Sequence, residues 1–386
     1  MSHASPYNRT VSIKQALAIL VLCSLALVIL GIVMLYSTTL HPADMARFKS
    51  HFVWLVAGLA LVPLLMRFDY HWLEKKWVLN LLAGVCLLSL AAVFVPGLGV
   101  KVNGANRWIR GLGQPSEFAK PIVIILLAAW CAHRNRDDLA DLRRGFLLPA
   151  LLGIVPAGLV FLEPDWGTAL LLGATTLVLL FLAGARLTHL GGAVTIAAAA
   201  FVVMVTHNPV RLERILVFLD PEAHRHGAGW QVWQSLLAIG SGGLWGDFPH
   251  GSLHKYGYVP EQQTDFIFSR IGEETGLWGT SLTLLFYLGI LFSGLHIMKC
   301  ARDRFGQLLA GGCATLIVLQ AWINLGVATS LVPNKGLPLP FVSYGGSSLL
   351  AMCLCLGLLT SVALHSDSDS HECPRNLEFN FDSGTS

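Results

Sequence analysis

Long apolar stretches alternate with short polar or charged segments along nearly the whole chain. The stretches fall at about 14–38, 49–66, 77–95, 117–133, 146–162, 166–184, 190–207, 272–298, 307–331 and 347–365. A helix that crosses a bilayer takes about 20 mostly apolar residues, and stretches of this length match that requirement. The pattern predicts an all-α polytopic membrane protein with ten transmembrane helices and a large extracytoplasmic loop between helices 7 and 8.

The composition supports a membrane protein and excludes other classes. Hydrophobic residues make up 54% of the 386 positions and charged residues 13%, whereas a soluble domain carries roughly 25% charged residues. A soluble globular protein, a disordered chain and a disulfide-rich secreted scaffold are therefore excluded. Ten helices use most of the apolar residues, so little chain is left for a separate water-soluble domain.

The charge pattern predicts which side of the membrane each connection occupies. The short connections at 67–76, 134–145, 185–189 and 299–306 are rich in Lys and Arg, and short loops of this kind stay in the cytoplasm. We therefore expect a multi-pass membrane protein with both termini in the cytoplasm. Its predicted parts are a cytoplasmic N-terminus, a membrane domain and a disordered cytoplasmic tail, at 1–13, 14–365 and 366–386.

Three connections on the outer face are too polar and too irregular to be simple linkers: 96–118, 208–271 and 332–348. Twelve of the 26 Lys and Arg residues fall on this outer face. Long loops cross the membrane largely regardless of charge, which is one explanation. The other is an anionic ligand bound on the outer face. The charge count alone leaves both open.

The first outer segment, VNGANRWIRGLGQPSEFAK, contains two candidate binding pairs. Arg107 and Trp108 are adjacent, and such a pair can hold a phosphate beside an amphipathic ring. Glu117 and Lys120 lie one turn apart on the outer end of the next predicted helix. The alternative is an interfacial tryptophan with a solvated ion pair.

A second candidate is the sequence EPDWGTA, which places Glu163 and Asp165 in a hairpin between two predicted spans. Acidic residues at this depth usually face a cavity or pair with a cation. Asp165 is therefore a candidate for substrate binding. A hydrated turn without a ligand is the competing interpretation.

A third candidate lies in the long outer segment 208–271, near the sequence GYVPEQQTDFIFSRIGEETG. Pro260 suits the first turn of a helix, which would place Glu261 beside it and Asp265 in the second turn. Bulky apolar residues follow Asp265, and partial desolvation raises the proton affinity of a carboxylate, as a general base requires. An ordinary solvated loop acid is the alternative. No set of residues completes a structural zinc site.

The last outer segment, LVPNKGLPLPFVSYGGSS, contains Lys335 as its only cation and Ser343 as a further polar candidate. Its prolines and glycines exclude a regular helix. Non-helical backbone at membrane depth is tolerated only where it is buried in protein or lines a cavity. The segment is therefore predicted to form a shaped wall, with a plain structural turn as the alternative. A nucleotide-binding P-loop is absent from the sequence.

The ordered motifs NGANRW, QPSEFAK, EPDWGTA, GWQVWQSLLAIGSGGLWG, PEQQTDFIF, IGEETG and LPFVSYGGSS resemble the SEDS family (shape, elongation, division and sporulation), whose members include FtsW and RodA. The resemblance covers roughly 11–365. It implies a ten-helix glycosyltransferase that polymerises peptidoglycan from lipid II on the outer face of the cytoplasmic membrane. NGANRWI and PNKG look more like FtsW, which acts in septal synthesis, whereas PEQQTDF is close to the RodA form of that motif.

The resemblance also implies roles for residues and partners. Asp265, in the TDF motif, would be the catalytic residue, and a class B penicillin-binding protein with other divisome or elongasome membrane proteins would be the partners, with no nucleic acid. In the implied reaction, the acceptor hydroxyl attacks the donor sugar and a prenyl pyrophosphate leaves. Such a reaction needs a base to take the hydroxyl proton and cations to stabilise the pyrophosphate. A divalent cation, Mg²⁺ or Mn²⁺, is an optional assistant. The predicted substrate-binding residues are Arg107, Trp108, Glu117, Lys120, Asp165, Arg211, Arg214, Glu261, Lys335 and Ser343.

Three alternatives stay open at this stage. The first is a RodA-like polymerase for cell elongation. The second is a transporter that flips lipid II, for which Gln320 and Asn324, one turn apart in the ninth predicted span, are the best polar pair. The third is a scaffold that only recruits a partner enzyme, for which the loop acids would be dispensable.

Overall fold

The computed structural model describes residues 12–366 except 38–41, 103–104, 112, 136–137, 140, 228 and 248–263. Most of the predicted N-terminal segment and nearly all of the predicted disordered tail therefore lie outside the described residues. The same holds for Pro260 and Glu261. All other predicted site residues lie within the described part of the chain.

The described chain is built almost entirely from helices. In chain order they are α1 Ile13–Ser37, α2 Pro42–Arg67, α3 Lys76–Ala92, α4 Pro115–Ala132, α5 Leu148–Leu162, α6 Trp166–Ala183, α7 Leu187–Thr206, α8 Pro209–Leu219, α9 Trp230–Ser241, α10 Ile267–Cys300, α11 Arg304–Ala328 and α12 Gly346–Ser366. A 3₁₀ turn at Tyr70–Glu74 precedes α3, and a π-helical turn at Leu142–Leu147 leads into α5.

The positions of the helices confirm the predicted membrane architecture. Within the described residues, nine helices are long and apolar enough to cross a membrane, and α3 is a shorter apolar helix of 17 residues. Each of the ten predicted stretches coincides with one of these helices. The structure thus confirms an α-helical polytopic membrane protein, while a count of ten crossings stays a prediction.

Three helices form the centre of the bundle. In α4, α11 and α12, 78%, 78% and 83% of the most apolar window is buried inside the protein, against 17% in α2 and 11% in α7. Because lipid is as apolar as leucine, helices in a membrane associate through close packing of small residues. Gly294 on α10 faces Ala314 on α11, and Gly58 on α2 faces Cys353 on α12. The central helices therefore provide a rigid support for the segments at their ends.

One end of the bundle carries most of the irregular structure. Residues 99–109 form a small antiparallel hairpin, β1 Gly99–Val102 and β2 Ala105–Ile109, in which Val100 pairs with Trp108. The all-α prediction missed this hairpin because its short strands carry no strong alternation. The predicted irregular wall is confirmed, since residues 331–345 form no regular helix. The short helices α8 and α9 complete this end, which we call the site end.

Helix α10 is broken within its first third. Gly276 has φ 64° and ψ −157°, so the backbone leaves the helical conformation there and resumes it afterwards. A glycine adopts this left-handed φ without the steric cost that a Cβ atom imposes. The residues before the break, Ile267–Glu274, are nearly all buried. They follow Asp265 directly and fix where its turn lies.

Candidate functional site

A pocket of about 360 Å³ opens at the site end between the EPD turn, α7, α8 and the segment after α11. Its walls are partly apolar, with Trp166, Phe201 and Met204 among them. Its polar lining is dominated by four cations from three separate parts of the sequence: Arg107, Arg211, Arg214 and Lys335. The pocket thus brings together four of the five cations among the predicted substrate-binding residues; the fifth, Lys120, lies elsewhere.

Two of these cations come from one helix. Arg211 and Arg214 are three residues apart on α8, so they lie on neighbouring turns of the same face. The guanidinium carbon of Arg211 lies 3.3 Å from the centre of the Trp166 ring, which is a cation–π contact. That contact holds the Arg211 side chain against the first residue of α6.

Lys335 is a half-buried cation in the wall of the pocket. Burial lowers the pKa of its ammonium group, and the charges of Arg214 and Arg211 lower the pKa further, while Asp165 opposes them. Within the described residues, none of the four cations forms an ion pair at 4 Å or less. Among the described residues, the pocket therefore gathers four cations without an ion pair, and such a site favours an anion.

Arg107 also has a positioning role in the pocket wall. Its Nε donates a hydrogen bond to the carbonyl of Glu163 at 3.2 Å, and its Nη2 donates to the carbonyl of Pro164 at 2.6 Å. The hairpin is in this way attached to the EPD turn. Trp108, its neighbour on β2, is 37% exposed and does not line the pocket.

Asp165 is buried behind the pocket and caps α6. Its Oδ1 accepts a hydrogen bond from the N–H of Thr168 at 3.3 Å, and its Oδ2 accepts one from Nε2 of Gln114 at 2.9 Å. A carboxylate at a helix N-terminus is stabilised by the unpaired N–H groups there. Asp165 therefore acts on the pocket through its charge near Lys335 and through the position of the turn.

Glu163 has an environment that the sequence did not reveal. The residue is 1% exposed, and neither carboxylate oxygen has a hydrogen-bond partner among the described residues. Burial raises the pKa of this carboxyl to about 8, with a further increase from Asp165 and a decrease from Arg107. Glu163 thus holds a proton near neutral pH, directly beside the charged residues of the site.

Asp265 lies in a turn immediately before α10, which begins at Ile267. The expectation that it occupies the second turn of a helix is wrong, because the backbone becomes helical only two residues later. Its carboxylate lies against Gly336: a Cβ atom built on that glycine would be 2.9 Å from Oδ2 of Asp265. Gly336 follows Lys335 of the pocket, so Asp265 adjoins the pocket through this segment.

Two side chains hold the backbone around Asp265. Nδ2 of Asn324 on α11 donates to the carbonyl of Asp265 at 2.9 Å and to the carbonyl of Leu337 at 2.7 Å. The hydroxyl of Ser343 donates to the carbonyl of Thr264 at 2.6 Å and accepts from the N–H of Leu339 at 2.8 Å. Ser343, predicted to bind substrate, is thus committed to joining the two segments.

Glu117 and Lys120 belong to a buried polar network and not to the pocket. Nζ of Lys120 donates to Oε2 of Glu117 and to Oε1 of Gln320, both at 2.7 Å. Nε2 of Gln320 donates in turn to the carbonyl of Pro338 at 2.8 Å. The Lys120 side chain is 0% exposed and that of Glu117 4%. Their predicted contact with substrate is not what the geometry shows; they support the 337–340 segment from below.

The described residues do not assemble a metal cage. No group of three or more His, Cys, Asp or Glu side chains is gathered among them. Both oxygens of Asp165 already accept hydrogen bonds, and Glu163 favours the protonated form. The residues present therefore do not fit a divalent cation held by protein ligands alone.

Comparison with known proteins identifies the family. The model of the family of FtsW, RodA and SpoVE, described as "Cell cycle protein", matches residues 17–368. The chain belongs to this family. It is 40% identical over 354 residues to a "Probable peptidoglycan glycosyltransferase FtsW" of Trichlorobacter lovleyi, covering 89% of this chain and 92% of that protein. It is 38% identical over 360 residues to "Stage V sporulation protein E" of Bacillus subtilis, covering 90% and 97%.

Solved structures of family members share the fold. A chain from a structure described as "Structural coordination of polymerization and crosslinking by a peptidoglycan synthase complex" is similar with a TM-score of 0.76 and 31% identity, covering 91% of this chain and 98% of that one. The rod shape determining protein RodA of Thermus thermophilus is similar with a TM-score of 0.66 and 30% identity, covering 91% and 97%.

Three residues that contact the site were not among the predicted substrate-binding residues. Gln114, Glu163 and Asn324 each contact a predicted site residue or its backbone; Glu163 was noted only as part of the EPD hairpin, and Asn324 only as a polar residue of a transport path. Signals existed for two of them. Glu163 lies two residues before Asp165, and Asn324 is a polar residue inside an apolar span, where polar side chains usually have a partner.

Proposed function

We propose that this chain polymerises lipid II into glycan strands on the outer face of the cytoplasmic membrane, for septal synthesis in cell division. Its family membership and its FtsW-named relatives make it an FtsW-like peptidoglycan glycosyltransferase. The observation that carries the proposed site is the pocket of four cations, which form no ion pair with any described residue, adjoined by the Asp265 turn.

The geometry suits the two demands of the reaction. The 4-hydroxyl oxygen of the acceptor sugar attacks the anomeric carbon of the donor, and the bond from that carbon to the phosphate oxygen breaks. The hydroxyl proton passes to the carboxylate of Asp265, which acts as the general base. The departing prenyl pyrophosphate carries the electron pair, and Arg107, Arg211, Arg214 and Lys335 stabilise its charge.

The walls of the pocket also suit an amphipathic substrate. Trp166, Phe201 and Met204 provide apolar surface beside the cations. A lipid-linked pyrophosphate presents an anionic group directly next to a hydrocarbon chain. Apolar walls with a few convergent charges are typical of small-molecule sites, and here they match both halves of that ligand.

A divalent cation is proposed only as an assistant to the leaving group. Because the described side chains form no cage, Mg²⁺ or Mn²⁺ would depend on pyrophosphate oxygens for most of its ligands. The checking measurement is polymerisation in EDTA with and without added metal.

The orientation in the membrane follows from the basic short connections. We propose that both termini and the loop around Arg144 are cytoplasmic, and that the site end faces outward. A reporter that works only in the cytoplasm should be active when fused after Arg144 and inactive when fused after Gly251. The opposite pattern would place the site on the side that lacks the acceptor strand.

The proposed partner is a class B penicillin-binding protein, which would crosslink the strands that this chain makes. The similar solved chain described as part of a peptidoglycan synthase complex supports this proposal. Co-purification from solubilised membranes should retain such a transpeptidase. Full polymerisation by a chain that purifies alone and gains nothing from the transpeptidase would count against it.

The structure weakens the flippase alternative for one specific reason. Gln320 and Asn324 were the polar pair that a transport path required. Both are 0% exposed, and both donate hydrogen bonds to backbone carbonyls of the 337–340 segment. They are committed to holding that segment and do not line a path.

The experiment is a polymerisation assay with purified protein and lipid II, in which glycan strands are resolved by length. Asp265→Asn should leave below about 1% of the activity, because general-base catalysis contributes roughly 10²- to 10⁴-fold. Asp247→Asn is the matched control, since Asp247 is an exposed acid in the same long segment. Near-normal strand synthesis by Asp265→Asn would refute the base assignment.

A further inference from the structure

The tetrapeptide Gly-Leu-Trp-Gly occurs twice in the chain, at 243–246 and at 276–279. The first copy forms the turn that follows α9, which we call the GLWG turn (residues 242–246). The second copy begins at the break in α10, at Gly276. The two copies lie against each other, although they begin 33 positions apart in the sequence.

The two copies exchange backbone hydrogen bonds. The break at Gly276 removes the normal helical partners of the residues around it. The N–H of Leu277 donates instead to the carbonyl of Gly243 at 2.9 Å, and the carbonyl of Glu273 accepts from the N–H of Asp247 at 3.1 Å. In an unbroken helix, the N–H of Leu277 would have bonded to the carbonyl of Glu273. The GLWG turn therefore replaces the bonds that the break removes.

The glycines make this contact sterically possible. A Cβ atom on Gly246 would lie 2.2 Å from the carbonyl oxygen of Glu274, and one on Gly276 would lie 2.5 Å from the nitrogen of Gly246. Gly246 also has a positive φ of 77°. The GLWG turn is thus packed directly against the break at Gly276 and lies at the same level along the axis of α10.

The side chains of the two copies form one exposed apolar surface. Leu244, Trp245, Leu277 and Trp278 are 59%, 78%, 56% and 64% exposed. The Trp245 and Trp278 ring centres are 6.1 Å apart. Trp278 also begins a stripe on one face of α10 that continues through the exposed residues Leu282, Leu285 and Phe292. That stripe faces lipid if α10 crosses the bilayer.

We propose that the GLWG turn is a membrane-interface anchor whose ligand is the phospholipid surface. Tryptophan is enriched where a span meets the headgroup region, and Trp278 lies at that end of the α10 stripe. Because Trp245 and Leu244 are held at the same level, they extend the lipid-facing surface beyond the helix itself. The hydrogen-bond exchange fits this location, since unpaired backbone groups are costly in lipid.

This inference depends on α10 being a membrane span and is independent of the proposed reaction. It has a consequence for the long segment 208–271, which was predicted as a single outer loop. Helix α9 precedes the GLWG turn, and the hydroxyl of Ser235 on α9 contacts that of Ser269 at 2.5 Å and donates to the carbonyl of Ala328 at 2.7 Å. The segment thus returns to the membrane and packs on the residues that follow Asp265.

The test is photocrosslinking in vesicles of phosphatidylethanolamine and phosphatidylglycerol. Trp245→benzoylphenylalanine is made in the full-length chain, and lipid adducts are detected by intact mass. Phe292, 66% exposed on the α10 stripe, is the lipid-facing control position. Glu222, whose side chain is 68% exposed between α8 and α9, is the water-facing control.

We expect the lipid-adduct yield at 245 to equal that at 292 within about twofold and to exceed that at 222 severalfold. A yield at 245 as low as that at 222 would overturn the proposal. The experiment is repeated with a class B penicillin-binding protein in the same vesicles. If crosslinks at 245 then go to that protein and the lipid adduct disappears, the surface is a protein interface, which also overturns the proposal.

Discussion

Two regions at the site end both bring charged side chains together, yet their surroundings differ. In the pocket, Arg211, Arg214 and Lys335 lie near one another and form no ion pair within the described part of the chain. In the buried network a few residues away, Lys120 is paired with Glu117 and bonded to Gln320. Basic side chains thus occur without an ion-pair partner among the described residues in the pocket, and with an ion-pair partner in the network.

This difference indicates that the pocket binds substrate and that the network supports the fold. A buried charge is costly unless it is paired and hydrogen-bonded, so the network is stable only as a complete set. The pocket cations keep access to solvent and to a ligand, and their mutual repulsion is relieved when an anion binds. Substitutions in the network should therefore lower stability, and substitutions in the pocket should weaken substrate binding. Four predictions test this distinction.

The largest expected effect on stability follows from breaking the network at one residue. Lys120→Met leaves the Glu117 carboxylate buried without its cation, and such a break typically costs about 3–5 kcal/mol. The combined change Glu117→Gln with Lys120→Met should cost much less, because no charge is left unpaired. Thermal unfolding in detergent measures both. Equal stability of the single variant and the wild type would show that the pair is not buried in solution.

Removing pocket cations should weaken binding and leave folding intact. A hydrogen bond to a charged group contributes about 1.5–3 kcal/mol, so Arg214→Ala should raise the KM for lipid II roughly 10- to 100-fold. Arg225→Ala is the control, since Arg225 is exposed and its side chain contacts Glu222 at 3.8 Å and His226 at 3.2 Å, away from the pocket. A normal KM with a lowered unfolding temperature would place Arg214 in the scaffold and remove the distinction.

Asn324→Ala should affect turnover more than binding. The change leaves the carbonyls of Asp265 and Leu337 without their donor, at a cost of about 1–3 kcal/mol. Because the Asp265 turn then loses its support, we expect kcat to fall about tenfold or more with a nearly unchanged KM. Gln320→Ala removes the bonds to Pro338 and Lys120 but leaves the bond from Asn324 to the Asp265 carbonyl in place, so it should lower kcat less. The reverse order would show that the network supports Asp265 by another route.

The smallest effect is a pH dependence from Glu163. Its pKa is about 8 in the folded protein against an ordinary value of 4.5. Below pH 4.5 both the folded and the unfolded chain hold the proton, so there is no penalty. As the pH rises from 4.5 to 8, the unfolded chain ionises first and stability falls.

Glu163→Gln removes this titration and should gain stability relative to the wild type across that range. We expect this gain to be smallest at pH 4.5 and to grow steadily toward pH 8. Unfolding temperatures of both proteins at several pH values check this. Parallel curves for the two proteins would mean that Glu163 ionises normally.

Much of the architecture could be predicted because the lipid environment imposes a simple rule. Every span must be long and apolar, so the ten stretches located the helices to within a few residues. The strands at 99–109 were missed because five-residue strands leave no comparable pattern. Asp265 was expected inside a helix but precedes α10, which begins at Ile267; Pro260, on which that expectation rested, lies outside the described residues.

The site was predicted in part for a related reason. Arg107, Arg211, Arg214 and Lys335 stood out because cations are unexpected on the outer face. Their sequence positions did not show that Lys120 is turned into the bundle. Nor could any local signal reveal that Asn324 bonds to the carbonyl of Asp265, 59 residues away. Long-range contacts of this kind depend on how the helices pack.

The most direct test of the central claim measures lipid II binding and strand synthesis on the same sample of Asp265→Asn. If the pocket binds and Asp265 takes the proton, the Kd should stay within about twofold of the wild type while turnover falls at least about 100-fold. Normal turnover, or a loss of binding as large as the loss of turnover, would contradict this division of roles.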